Sequence, residues 1–378
     1  MLKRPVSLFM AFLLLFPVLA FSELEEEEIF IEEWLDPVET ENPLGIVETD
    51  GSTTITITCT GDFTIGGDNN HPRKGKHFYQ ELESHGNDIN FTMANVRDIF
   101  KQDDMTLVNF EGTLTDTKFV PNNKKNNDFL FNISPDYVSV LPDNYIEAVS
   151  LANNHVMDHG TEGYEDTKAT LDRAGIVYST SEDIGLYTAK GVTIAMLSYL
   201  CIDRYNKPAG GYDNLFDKVA ADIEATKKRY PIVIVSFHWG NEKDYTPTEN
   251  QKKMGRLAVD SGADLVIGHH SHRINPIEKY KGVYICYSLG NFCFSGNKKP
   301  DDMSSYIFQT RFRMSKSGDI SNTGFRIIPI RITSVKDVNN YVPTPITDEM
   351  KIESIILTLK ANGKKLDYAV DGYPLDWE

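Results

Sequence analysis

Short apolar runs rich in β-branched residues, each followed by a polar cluster and separated from the next by helical spacing, constrain this chain most. Residues 54–59 lead to Gly61-Asp62, 105–110 to Glu111-Gly112, and 146–151 to Asn153-Asn154-His155. Residues 232–237 lead to His238-Trp239-Gly240, 265–267 to Gly268-His269-His270-Ser271-His272, and 283–289 to Gly290-Asn291. Residues 193–199 form a further run, and helical spacing occupies 91–100, 164–174, 215–230 and 247–261. Continuous apolar runs read as strands buried on both faces. Their alternation with helices predicts an α/β fold with helices covering the sheets. Beyond Ser305 the alternation stops: 306–314 and 325–332 read as antiparallel strands closing a sheet edge, and 351–360 as a helix.

The six polar clusters share one placement, the carboxyl end of an expected strand, which is where α/β sheets assemble their sites. The candidates there are Asp62, Asn109 with Glu111, Asn153 with Asn154 and His155, His238, His270 with His272, and Asn291. Carboxylate, amide oxygen and imidazole form the donor set of a hard-to-borderline divalent ion, Mn, Fe or Zn. His270 and His272, two apart on a turn, can aim both rings at one centre, while Asp62 and Glu111 supply negative charge. One or two ions fit this set. Two ions about 3.5–4 Å apart would clamp a phosphoryl oxygen and lower the pKa of a bridging water. Each residue alone has a plainer reading: His238 as a structural hydrogen-bonder, Asn153-Asn154 as a turn, Asp62 as a cap. Glu242 and Asp203-Arg204 read equally as substrate contacts or as surface ion pairs, and His71, His77 and His85 as solvent-facing loop residues.

The N-terminus reads differently. Lys3 and Arg4 precede an uncharged apolar run from Val6 to Phe21 and the small residues Ala20 and Ser22, the layout of a secretory signal. The run falls short of the ~20 residues of a spanning helix, so residues 1–22 read as a signal peptide or an uncleaved signal anchor. Residues 23–51 read as an acidic linker, 52–335 as the folded domain, and 336–378 as a C-terminal extension with a helix. The protein is therefore expected to be extracytoplasmic, secreted or tethered to the outer face of the membrane, and to touch it only through the N-terminal segment. The net charge of −17 is concentrated in the acidic segment: residues 23–50 hold twelve acidic and no basic residues, and Lys3 and Arg4 add +2, which leaves −7 beyond Asp50. A mildly acidic domain argues against nucleic-acid binding. None of the four cysteines forms a CxxC pair, and Cys59 and Cys286 inside apolar runs read as buried thiols.

The motif order resembles the CapA family of poly-γ-glutamate capsule biosynthesis proteins. The resemblance rests on Gly61-Asp62, Asn109-Phe110-Glu111, Asn153-Asn154-His155-Val156-Met157-Asp158-His159-Gly160, His238-Trp239-Gly240-Asn241-Glu242, Gly268-His269-His270-Ser271-His272 and Ser288-Leu289-Gly290-Asn291-Phe292, and runs from Thr54 to Phe294. That family is similar in turn to calcineurin-like metallophosphoesterases, which implies a four-layer α/β/β/α sandwich. It implies Asp62 and His272 on a first ion, His238 and His270 on a second, Glu111 bridging, Asn154 as an amide ligand, and His155 acting on the leaving oxygen. Asn109, Asn153, Glu242 and Asn291 are left as substrate contacts. Thr64 stands where metallophosphoesterases usually carry a histidine ligand, Glu111 replaces the usual Asp, and Ser271 the Pro between the two histidines. Three readings follow: a protein of anionic-polymer synthesis, export or attachment, acting on polymer or a phosphorylated substrate beside a membrane-bound synthesis complex; a metal-dependent phosphoesterase or other envelope hydrolase unrelated to capsule; and a polymer-binding module without turnover.

Overall fold

The computed structural model describes residues 38–39, 48, 50–68, 70–122, 124, 128–202 and 211–377. The expected signal, nearly all of the acidic segment, and Asp203 with Arg204 lie outside the described residues.

The chain builds one sheet, then a second, then returns to the first. β1 (Thr53–Thr64), β2 (Met105–Phe110), β3 (Ala148–Ser150) and β4 (Val177–Ser179) lie side by side and parallel. The second sheet sets β5 (Gly185–Ala189), with the short strand Val38–Glu39 parallel to it at the edge, antiparallel to β6 (Val192–Cys201). It continues parallel through β7 (Ile232–Trp239) and β8 (Leu265–His269); β9 (Ile277–Tyr280) then turns back along β10 (Val283–Cys286), which pairs with β8. β11 (Asn291–Phe294) rejoins the first sheet beside β1, followed by the antiparallel pair β12 (Ser304–Met314) and β13 (Ile320–Arg331). The fold is mixed α/β, with parallel and antiparallel strands in both large sheets and in a third, three-stranded one of Gly67–Asp68, Thr113–Leu114 and Phe131–Ile133.

Strand alternation sorts the core. Ile55, Ile57 and Cys59 of β1 share one buried cluster with Ile194, Ile232, Ile234, Leu265 and Ile267 of the second sheet. Val233, Val235 and Phe237 point the other way, against Val219 and Ile223 of the helix Gly211–Lys227 and Met254 of the helix Glu249–Asp260. Phe63, Val108 and Val149 pack with Phe78 and Leu82 of the helix Pro72–Ser84 and Leu171 of the helix Gly160–Ala174. The helix Glu349–Gly363 buries Ile355 and Leu359 in the cluster that β1 shares with the second sheet. None of the four cysteines is bridged, and burial pushes their thiols up.

Three local readings need correction. Residues 91–100 form a 3₁₀ turn, Ile89–Met93, and a short helix, Arg97–Phe100, because the buried side chains of Phe91 and Met93 lie two apart and cannot share one helical face. The histidine-bearing stretch expected to be loop is the helix Pro72–Ser84, anchored by Phe78 and Leu82 four apart. Within it His77 is half-buried; His71, just before it, is half-buried with Nδ1 2.6 Å from Asp68, while His85 is exposed. Finally, the strand expected over 283–289 ends at Cys286, and residues 287–290 cross between the sheets, so Asn291 begins a strand instead of following one.

Glu147, ahead of β3, accepts the Thr106 N–H at 2.8 Å. Burial, with Asp104 nearby, pushes its carboxyl from 4.5 up to about 7. Between those values the folded protein holds a proton that the unfolded chain has lost, so this group's contribution to stability falls as pH rises through that window. Glu147→Gln keeps the acceptor. It is expected to raise the unfolding temperature by about 2–5 °C at pH 8 and to leave it unchanged near pH 4. Equal shifts at both pH values would contradict this.

Candidate metal centre

The two sheets bring their strand ends together through close backbone approach. A Cβ on Gly61 would stand 2.0 Å from the Gly290 carbonyl oxygen, and one on Gly268 2.1 Å from that of Tyr287. Only glycine permits both contacts. Asp62 N–H donates to the Gly290 carbonyl at 3.0 Å, which brings Asn291 into register with Asp62. Trp239 Nε1–H donates to the Tyr287 carbonyl at 2.9 Å and pins β7 beside the crossing chain.

Around this junction the polar side chains converge. Asp62 and Asn109 are register partners on β1 and β2, and Asn109 Nδ2 donates to Asp62 Oδ1 at 2.9 Å while lying 3.3 Å from His238 Nδ1. Asn153 Nδ2 donates to the Phe110 carbonyl at 2.8 Å and to Asn109 Oδ1 at 3.3 Å, and Asn153 Oδ1 accepts the His155 N–H at 3.0 Å. These two amides bind protein groups and act as scaffold. Glu111 Oε1 stands 3.7 Å from His238 Nε2 and 3.8 Å from His155 Nε2. Glu111, His270 and His272 each place a ligand atom within 4.8 Å of the others. The His238 and His270 rings are 4.7 Å apart. His272 Nδ1–H donates to Asn291 Oδ1 at 2.8 Å and lies 3.1 Å from Asp62 Oδ2. Asn154 is buried. Glu242 is exposed, and its charge reaches Glu111 and His272.

Backbone strain marks the same place. His270 and His272 carry φ of 89° and 54°. Non-glycine residues in the left-handed region cost on the order of 1–3 kcal/mol each and persist where the surroundings hold them.

The charges of the pocket act strongly on one another. Burial raises the Asp62 carboxyl, but the imidazoles of His269 and His272 outweigh it and hold that carboxyl well below the usual range. Burial and the Asp62 charge push Glu111 up. Burial, reinforced by His270, holds His238 well below its ordinary value. Burial opposes a charge on His272, yet Glu111 and Asp62 bring it up to about 9. Asp62 Oδ2, both Glu111 carboxylate oxygens, Asn154 Oδ1, His238 Nε2 and both His269 nitrogens are buried without a hydrogen-bond partner among the described residues. Orphaned buried polar atoms are costly, and all of these belong to side chains that ligate divalent ions. The residues fit a metal, and Asp62, Glu111, Asn154, His238, His270 and His272 are the ones that would hold it.

Sequence reasoning passed over two residues here. Asp158, in the stretch after Asn154, accepts His155 Nδ1–H at 2.7 Å, the Phe131 N–H at 2.8 Å and Lys124 Nζ at 2.6 Å. Burial raises its carboxyl, but His155 and Lys124 bring it down overall. His269 lies 3.5 Å from Asp62 Oδ1. Its signal was visible, a third histidine beside His270, but the i, i+2 spacing drew attention to the other two.

Residues 56–296 match the family described as bacterial capsule synthesis protein PGA_cap. The chain is 32% identical to the PGA biosynthesis protein CapA of Bacillus subtilis, over 79% of this chain and 80% of that protein. It is 28% identical to the capsule biosynthesis protein CapA of Bacillus anthracis, over 64% and 60%, and 30% identical to a probable polyglutamine synthesis accessory protein of Mycobacterium tuberculosis, over 50% and 55%. A solved NAD nucleotidase from Haemophilus influenzae superposes with a TM-score of 0.39 at 13% identity, over 86% of this chain and 64% of that one, a likeness on which nothing rests. With the family match covering every residue of the pocket from Asp62 to Asn291, this chain belongs to the CapA family of bacterial capsule synthesis proteins.

Proposed function

We propose that this protein acts outside the cytoplasm in the synthesis, export or surface attachment of poly-γ-glutamate or a related anionic capsule polymer, through a phosphoesterase-like divalent-metal centre. The names of its relatives support the capsule half of this reading. One observation carries the chemical half: a set of buried carboxylate, amide and imidazole atoms without a hydrogen-bond partner among the described residues. The three apolar clusters, one shared by the sheets and one beneath helices on either outer side, support a four-layer α/β/β/α arrangement.

Bound between these side chains, one or two ions of Mn, Fe or Zn would supply Lewis acidity and a water acidic enough to attack at neutral pH. The chain's own residues do the rest. Asn109 fixes Asp62 against rotation. Asp158 holds the His155 ring so that Nε2 faces Glu111, where a leaving oxygen would receive its proton. Phe131 against His155 and Phe294 against His272 line the imidazoles with apolar surface and limit water. With a net charge of −7 beyond Asp50, the domain offers no broad attraction to a polyanion, so contact with polymer or phosphorylated substrate would be local to the centre. Attachment near a membrane-bound synthesis complex would fall to the N-terminal segment; among the described residues no helix is long and apolar enough to cross a membrane.

The test is genetic and chemical. A chromosomal His270→Ala allele in the host bacterium is expected to strip the cell surface of glutamate polymer, assayed as glutamate released by acid hydrolysis, at unchanged protein level. Normal surface polymer in that strain would overturn the capsule reading.

A further inference from the structure

We infer that His269 is a ligand of the ion that Asp62 holds, a role that rests on the metal reading above and extends it to a residue outside the six named ligands. His269 is the last residue of β8 and the register neighbour of His238 on β7, so the two side chains leave the second sheet on the same face. Leu265 and Ile267, four and two residues earlier on that strand, lie in the apolar cluster shared with β1. The alternation of β8 thus aims His269 toward the first sheet, where Asp62 stands.

His269 is 1% exposed, and neither ring nitrogen has a hydrogen-bond partner among the described residues. A neutral imidazole carries one donor and one acceptor, and leaving both unmet in the interior is among the costlier arrangements a fold can hold. Its Nδ1 stands 3.5 Å from Asp62 Oδ1. That is long for a hydrogen bond. It suits two donor atoms sharing one ion: ligands each about 2.0–2.2 Å from a metal stand about 2.8–3.6 Å apart. His272 Nδ1 stands 3.1 Å from the other oxygen of Asp62, so the carboxylate has an imidazole on either side. Asp62 Oδ2 is itself without a hydrogen-bond partner. One ion at this corner would take up the carboxylate and His269 Nδ1 together.

The test counts imidazoles on the metal. Purified protein, stripped and reloaded with Zn2+, is compared with its His269→Gln and His269→Ala variants by zinc-edge X-ray absorption and by calorimetric titration. Both variants are expected to bind Zn2+ at least about tenfold more weakly, as loss of groups around a metal commonly does, and to show fewer imidazoles per ion than wild type. An unchanged imidazole count overturns the assignment: with weaker binding it makes His269 an orienting group for Asp62, and with unchanged binding it makes His269 a bystander. His270→Ala separates this inference from the reading beneath it. If that variant binds Zn2+ like wild type, the metal reading itself fails. If it loses Zn2+ while the His269 variants keep wild-type affinity and count, only the role of His269 falls. Should His269→Ala fail to fold, the bulkier His269→Gln carries the measurement.

Discussion

Protein stripped with EDTA and then given Mn2+ or Zn2+ at a hundredfold excess over its dissociation constant is expected to unfold on the order of 5 °C higher, corresponding to about 2.7 kcal/mol of linkage. The cause is in the pocket. Two fully buried carboxylates, Asp62 and Glu111, face one another's charge, and Glu111 has no hydrogen bond on either oxygen. Burial of an unpaired carboxylate is unfavourable, and an ion that takes both groups removes the penalty. Glu111→Gln separates the two states. It keeps the shape and removes the charge, so the metal-free variant should be more stable than metal-free wild type, while the ion-dependent rise should nearly vanish. Because imidazole ligands must be neutral to bind, the rise in wild type should also shrink as pH falls from 7.5 toward 5. A Glu111→Gln variant that keeps the full ion-dependent rise would remove Glu111 from the centre.

What could be read from the sequence was local. The strands at 54–59, 105–110 and 232–237 announced themselves as apolar runs, and the residues at their ends had the chemistry of ligands. Nothing that depended on the meeting of two sheets could be read this way. The pairing of Asp62 with Asn109, and the use of Asn109 and Asn153 as internal braces, follow from strand register, which no run of residues displays. Asn291 looked like the end of a strand because residues 287–290, though apolar at Tyr287 and Leu289, are the crossing between sheets. The left-handed backbone at His270 and His272 was equally hidden, since neither is glycine. The turn lets His270 and His272 reach Glu111, while strand alternation leaves His269 beside Asp62. The helix Pro72–Ser84 was missed because its buried face rests on Phe78 and Leu82 amid polar neighbours.

His155→Ala is expected to lower hydrolysis of a simple phosphodiester such as bis(p-nitrophenyl) phosphate by about 10²–10⁴-fold, the usual range for loss of a general acid, while leaving Zn2+ affinity near wild type. The split between rate and affinity is the informative part. His155 Nε2 faces Glu111 at 3.8 Å, and its Nδ1–H is tied to Asp158, so the ring presents one nitrogen to the pocket in a fixed direction. Asp158 is itself locked by Lys124 and the Phe131 N–H. Asp158→Asn should disturb that lock, because an amide NH2 must then face either the ammonium or the two donors now shared by Oδ2. The expected loss is about 10–100-fold, as for other groups that orient a functional histidine, and it should fall on kcat more than on KM. Lys124→Ala should cost less, since Lys124 touches Asp158 and not the ring. If His155→Ala hydrolyses the diester at the wild-type rate, His155 transfers no proton there. If wild-type protein, ion in place, hydrolyses no phosphodiester although its His270→Ala allele strips the cell surface of polymer, the pocket binds without turnover, and the donor set around Asp62 and Glu111 serves to hold an ion against the polymer's carboxylates.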